Sequence, residues 1–194
     1  QWQGTLENMV TNKEFWGDKR VFVTGHTGFK GGWLSLWLQH LGADVTGYSL
    51  SPPTNPSLFE VAGVGAGMKS IIGDIRDLAH FQATFRECRP EIVFHMAAQS
   101  SVLVSYDDPI DTIKTNVIGT AHILEAMSSA KSVKTGIIVT TDKVYLNLEK
   151  RKKFSEDDHL GGHDVYSGSK AASEIIFQSY QKSFFQSDTC NIST

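Results

Sequence analysis

The 194-residue sequence predicts an α/β fold, a doubly wound parallel sheet with helices on both faces. Three observations predict it. Strand-like and helix-like segments alternate along most of the chain, in the order βαβαβαβα. Key strand-like runs are apolar in succession rather than at every second residue, the pattern of strands buried on both sides. The first strand also leads directly through a glycine-rich turn into a helix.

The elements follow in order. Residues 20–25 (RVFVTG) are β-branched and apolar, a first strand. In the helix that follows (GWLSLWLQHL), Leu34, Trp37, Leu38 and Leu41 fall at i, i+3, i+4 and i+7 and mark one face, and Gly42 ends it. Residues 44–50 read as a second strand, followed by the Pro-broken loop SPPTNPS. SIIGD is a third strand, and residues 78–88 are a helix stopped near Pro90. Ile92, Val93 and Phe94 make the core of a fourth strand, EIVFHMAA. One long helix over 111–130, a fifth strand GIIVTT and a helix over 166–184 complete the pattern. Residues 1–18 read as an N-terminal extension and 19–194 as the folded domain.

Composition narrows the function. With 40% apolar and 20% charged residues and a net charge of −3, no strong field invites nucleic acid or an acidic membrane. No apolar run approaches the ~18 residues of a membrane span, and the first twenty residues lack the apolar core of a signal peptide. Gln1 in place of Met leaves a processed, engineered or incomplete chain open. Two cysteines, Cys88 and Cys190, are too few for a disulfide framework and read as free thiols of a reducing cytoplasm. The basic run KRKK at 150–153, followed by SEDD, reads as a solvated loop. No spacing among the seven histidines suits a metal; His159 and His163, near Asp157 and Asp158, read as loop residues.

The chemistry-bearing residues cluster in short motifs. In TGHTGFKGG, Gly25, Gly28 and Gly31 stand three apart at the strand-to-helix turn, where glycine lets backbone N–H groups approach a diphosphate and the helix N-terminus favours an anion. The acid that usually ends the second strand and binds the adenosine ribose is absent; Ser49 and Ser51 stand there instead. No arginine attracts a 2′-phosphate at that strand and Lys30 serves either cofactor, so NAD and NADP both stay open. Asp74 reads as an adenine contact or a helix-proximal cap. Tyr166 and Lys170 lie one turn apart on one helix face. A free phenol ionises near pH ~10, and an adjacent ammonium lowers that value toward use as a base. Alone they would be an ordinary surface pair.

TGHTGFKG, GDIRD, HMAAQ, the asparagine of NVIGT, TTDKVY and YSGSK occur in the order found in extended short-chain dehydrogenase/reductases, which the chain resembles from residue 20 to about 185. It is similar within them to the sugar-nucleotide 4,6-dehydratases, and GHTGFKGGWLSLWL with TDK is most similar to the branch acting on CDP-glucose. That resemblance implies a Rossmann-type sheet, NAD with NADP not excluded, and a nucleotide-sugar substrate. It implies cofactor contacts from Gly25, Thr27, Gly28, Phe29, Lys30, Gly31, Asp74, Ile75, Ala97, Ala98, Gln99, Asn116, Tyr166 and Lys170. Asn116 could otherwise be a helix-interior amide bonded to a backbone neighbour. The catalytic residues implied are Thr141, Asp142, Lys143, Tyr166 and Lys170. Thr141 would bind the C4 oxygen and Asp142 would protonate the departing C6 hydroxyl, unless it merely caps the loop. Lys143 stands where the dTDP-glucose enzymes carry a glutamate, and its role as base or as enolate stabiliser is open. The resemblance further implies a homodimer through helices 111–130 and 166–184. It also implies a small C-terminal domain that grips the sugar nucleotide; the sequence stops at SDTCNIST, before that domain and before a sixth strand. A 4-epimerase or other dehydratase of this fold, and a non-catalytic nucleotide-binding fragment, are the competing readings.

Overall fold

A computed structural model describes residues 13–149, 153–185 and 190–194. Lys150, Arg151 and Lys152 of the basic run lie outside the described residues, while Lys153 and the Ser155–Asp157 stretch after it are exposed. A short helix α1 (Lys13–Trp16) precedes the first strand and packs Trp16 against the core. Then come β1 (Arg20–Thr24), α2 (Phe29–His40), β2 (Asp44–Ser49), α3 (Leu58–Val61), β3 (Lys69–Ile72) and α4 (Leu78–Cys88). The second half runs β4 (Ile92–His95), α5 (Val102–Asp107), α6 (Pro109–Ile113), a π-turn (Lys114–Ile118), α7 (Gly119–Ser129), β5 (Thr135–Ile138), α8 (Val165–Phe184) and β6 (Asn191–Ser193).

All six strands are parallel, in the order β3-β2-β1-β4-β5-β6. The order reverses between β1 and β4, so the strand exits open a crevice there. Val21 and Val23 of β1 point to one face, where Leu38 of α2 covers them; Phe22 points to the other, into a cluster with Phe81 and Phe85 of α4, Ile123 and Leu124 of α7 and Phe177 of α8. Both faces of the sheet are therefore apolar, which is why β1 is buried from Val21 to Thr24.

Three expectations are corrected. The sixth strand is present: Asn191, Ile192 and Ser193 pair in register with Thr135, Gly136 and Ile137, and Ile192 buries its side chain in the core. Of the stripe expected on α2, Leu38 and Leu41 are buried and Leu34 packs against the core, but Trp37 is 45% exposed. Gly31, Gly32 and Ser35 are buried instead, because close approach of helix to turn demands small residues there. The single helix over 111–130 is broken into α6, the π-turn and α7. At this wide turn the hydroxyls of Thr120 (2.6 Å) and Ser173 (2.8 Å) both donate to the Asn116 carbonyl.

Candidate functional site

The exit of β1 is shaped by two glycines. Gly25 has φ +78°, and a Cβ on it would lie 2.8 Å from the Ala97 nitrogen; one on Gly31 would lie 2.1 Å from the Gly25 carbonyl oxygen. The turn is thus pressed between β4 and α2 with no room for a side chain. Gly28 caps α2 without a side chain over the end, and the first turn holds no acidic residue. The N–H groups and positive dipole end of α2 are left for an anion. Thr27 anchors the turn to the exit of β2: its hydroxyl donates to the Leu50 carbonyl and accepts from Ser49, both at 2.8 Å.

Beneath the turn a buried polar chain locks β1 to β4 and to the π-turn. Thr24 Oγ1 accepts from the Met96 and Ala97 nitrogens at 3.1 Å each, so its own proton goes to His95 Nδ1 at 2.8 Å. Thr120 gives its proton to the Asn116 carbonyl and so accepts from His95 Nε2, at 3.2 Å. The network assigns His95 as neutral with its proton on Nε2, and burial together with the Lys170 charge pushes it down to about 3. Asn116 itself accepts from the Gln99 nitrogen (2.9 Å) and donates to the Gln99 carbonyl (3.0 Å) and Ser169 (2.9 Å). It therefore holds the β4 exit segment, Ala97–Gln99, against α8 from behind the cleft wall.

At the exit of β3, Asp77 accepts from the His80 nitrogen and caps α4, so the capping role considered for Asp74 belongs to Asp77. Asp74 takes the guanidinium of Arg76 on both oxygens, at 2.5 and 2.9 Å, and Arg76 also pairs with Asp111. The hydrogen bonds from Arg76 hold the Asp74 carboxyl below its usual value. Arg76, absent from the expected set, lines the cleft with its charge matched by two carboxylates.

The third wall is the start of α8 with the exit of β5. Asp164 caps α8, accepting from the Ser167 nitrogen and hydroxyl; burial would raise its carboxyl, but those hydrogen bonds and the Lys143 charge hold it low. The Tyr166 nitrogen donates to the buried Ser105 hydroxyl, which fastens α5 to this end of the helix. Lys170 is 6% exposed and donates to the Val139 carbonyl at 2.9 Å; burial lowers it to about 8, against the opposing pull of Glu174. Thr140 donates to Glu174 at 2.5 Å. Beyond it, Thr141 caps a 3-10 turn, Asp142–Val144, that packs on α8 and is anchored by buried Val144. Asp142 and Lys143 are exposed on this turn, and Thr141 donates to Asp142 at 3.1 Å.

These walls enclose one cleft of about 790 Å³ at the carboxyl edge of the sheet. Gly25, Thr27, Gly28, Phe29, Lys30, Gly31, Asp74, Ile75, Ala97, Ala98, Gln99, Tyr166 and Lys170 all line it, so the expected cofactor residues converge apart from Asn116, which acts from behind. Val139 and Thr140 line it too, whereas Thr141, Asp142 and Lys143 form the next turn outward. Glu174 and Thr140 escaped sequence reasoning, although Glu174 extends the four-residue spacing of Tyr166 and Lys170 by one step. Among the described residues, no group of three or more His, Cys, Asp or Glu could hold a metal, and His163 donates to the Asn147 carbonyl in its loop. No helix among them is long and apolar enough to cross a membrane.

Parallel order, glycine turn and a crevice at the switch point define a Rossmann-type α/β protein with a cleft of the shape and chemistry that receives dinucleotides. More narrowly, a family model described as GDP-mannose 4,6 dehydratase matches residues 22–193, and the chain belongs to that family of extended short-chain dehydrogenase/reductases. It is 50% identical over 176 residues to the CDP-glucose 4,6-dehydratase of Salmonella typhimurium, covering 91% of this chain and 49% of that protein. A UDP-glucose 4-epimerase from Thermotoga maritima, solved with UDP-glucose, superposes with a TM-score of 0.73 at 28% identity, over 85% of this chain and 52% of the other. MoeE5, solved in complex with UDP-glucose and NAD, superposes with a TM-score of 0.69 at 25% identity, over 91% and 52%. The chain spans about half the length of the curated relatives it matches.

Proposed function

We propose that this chain carries the cofactor-binding and catalytic half of a CDP-glucose 4,6-dehydratase that uses tightly held NAD. The observation that carries the reading is that Tyr166 and Lys170 line the same cleft as the glycine turn. The 50% identity to the Salmonella enzyme supports the sugar nucleotide, and the NAD of the MoeE5 complex supports the cofactor. The residues fit a dinucleotide: the space kept open at Gly25 and Gly31 and the uncovered N-terminus of α2 suit a diphosphate, while Asp74 and Ile75 flank the far end for adenine.

NAD held by the glycine turn and the cleft walls would supply a hydride acceptor for oxidation at C4 and the hydride donor for reduction at C6. Tyr166, as phenolate beside the Lys170 ammonium, takes the O4 proton while Thr141 holds that oxygen. The C4 ketone acidifies the C5 hydrogen. Asp142 is the acid for the C6 oxygen, which departs as water. Lys143 serves this elimination either as base at C5 or as the cation facing the C4 enolate, and Lys143→Arg separates the two, since arginine keeps the charge but not the basicity. The C5 proton, taken up by Lys143 or by solvent water, is replaced at C5 as hydride reaches C6, so the product is CDP-4-keto-6-deoxyglucose with no net oxidation. Exposed Ile113 and Ile118 in the 111–130 stretch and Ile175 on α8 support a homodimer along these helices, checked by light scattering.

The test incubates the purified protein, in its full natural length, with NAD and the CDP-, dTDP-, GDP- or UDP-glucose, and follows the ketone by its absorbance in alkali. Ketone from CDP-glucose above the others is expected. Protein that retains NAD yet gives no ketone from any of the four overturns the reading.

A further inference from the structure

We propose that Glu174 is a positioning residue of this site, tying the exit of β5 to α8 and serving as the counter-ion of Lys170. The inference rests on the proposed dehydratase reading for its meaning but not for its test.

Tyr166, Lys170 and Glu174 follow one another at four-residue intervals, so they form one stripe along α8. The first two face the cleft. Glu174 lies one turn deeper, only 8% exposed. A carboxylate is seldom buried without a partner, because removing it from water must be offset by hydrogen bonds or charge. Glu174 has both. Thr140 donates to it at 2.5 Å, and the neighbouring Val139 carbonyl accepts from Lys170 at 2.9 Å. Two successive residues of the β5 exit are therefore fastened to two successive turns of α8. The next residue, Thr141, opens the turn that presents Asp142 and Lys143. Releasing Thr140 would free that turn from the helix carrying Tyr166.

The charge has a second effect. Among the groups acting on Lys170, burial works against the ammonium and Glu174 works for it. His95, facing Lys170 from β4, is held neutral, and Tyr166 is the group Lys170 must stabilise. Losing the Glu174 charge would leave the ammonium less favourable and remove the cation beside the phenol at lower pH.

Three variants of the full-length protein test this: Glu174→Gln, Glu174→Leu and Thr140→Val. The Lys170 side chain is titrated by NMR on protein labelled at lysine Cε. Its midpoint should fall by ~1 unit in Glu174→Gln, and the alkaline limb of the kcat–pH profile should move the same way. Amide exchange across residues 141–145 should quicken by ~10-fold in Thr140→Val and Glu174→Leu, but stay near the parent in Glu174→Gln, whose amide oxygen still accepts from Thr140. The isosteric Gln variant keeps the titration available if the Leu variant fails to fold. An unmoved Lys170 midpoint in folded Glu174→Gln overturns the counter-ion role, and unaltered exchange in Thr140→Val overturns the tether. Titration and exchange need no substrate. Shifts in both with no ketone from any sugar nucleotide would uphold Glu174 and refute the dehydratase; ketone formation without the shifts would do the reverse.

Discussion

Replacing Gly31 with alanine should cripple dinucleotide binding. The added Cβ would sit 2.1 Å from the Gly25 oxygen, 2.7 Å from its carbon and 3.0 Å from the His26 Cα, all backbone atoms that cannot swing aside. Ordinary contact begins at 3.4 Å, so α2 must back away from the turn by about 1.3 Å. A donor placed ~2.9 Å from a phosphate oxygen would end near 4 Å, beyond hydrogen-bond range. Hydrogen bonds to charged groups contribute ~1.5–3 kcal/mol each, so losing one or two weakens binding by about 2–5 kcal/mol. At ~1.4 kcal/mol per decade the dissociation constant rises by about 30-fold to several thousand-fold. NADH fluorescence titration measures it, with thermal melting to separate binding loss from unfolding. Gly28→Ala is the internal control: its Cβ would lie at 3.3 Å from the same oxygen, a far milder clash. Folded Gly31→Ala that binds NADH within threefold of the parent would refute the cradle.

Tyr166→Phe should keep the fold and its melting temperature while kcat drops by ~10²–10⁴-fold, since only the oxygen that takes the O4 proton is removed. Acid should destabilise the protein through His95: held at about 3 when folded against 6.5 when free, it refuses a proton that the unfolded chain accepts. Its contribution is complete above pH ~6.5 and is lost as pH falls toward 3, about 2 kcal/mol by pH 5. Urea midpoints at pH 7.5 and 5.0 should therefore converge in His95→Gln relative to the parent; His26, lowered to about 4 by burial, acts in the same direction in both proteins. Asn116→Leu should lower stability by ~3 kcal/mol and weaken NADH binding, because the Gln99 backbone groups and Ser169 lose their partner.

Local chemistry decided which parts were readable. Residues 78–88 were bounded correctly because Asp77 caps the start and Arg89, at φ +46°, ends the helix before Pro90. Strands were read too long at their carboxyl ends, since Met96–Ala98 and Val139–Thr140 are apolar or β-branched but serve as cleft walls. The sixth strand was overlooked because three residues, two of them polar and exposed, carry no periodicity; only pairing with β5 makes them a strand. Long-range partnerships were equally silent. Arg76 with Asp111, and Thr140 with Glu174, join residues 35 and 34 positions apart. The glycine spacing and the Tyr166–Lys170 interval were legible because backbone geometry itself fixes them.

The π-turn at Lys114–Ile118 has a bearing on how this chain tolerates length changes. It absorbs one extra residue between α6 and α7 without changing the faces that follow. Deleting one residue there should restore ordinary winding and keep Ile123, Leu124 and Met127 sealed against the sheet. The same deletion just after Gly119, in plain helix, would turn everything downstream by about 100° and swing those three toward water. The wide turn is thus a place where this chain can lose a residue, as the exposed stretch Ser155–Asp157 is one where it can gain one.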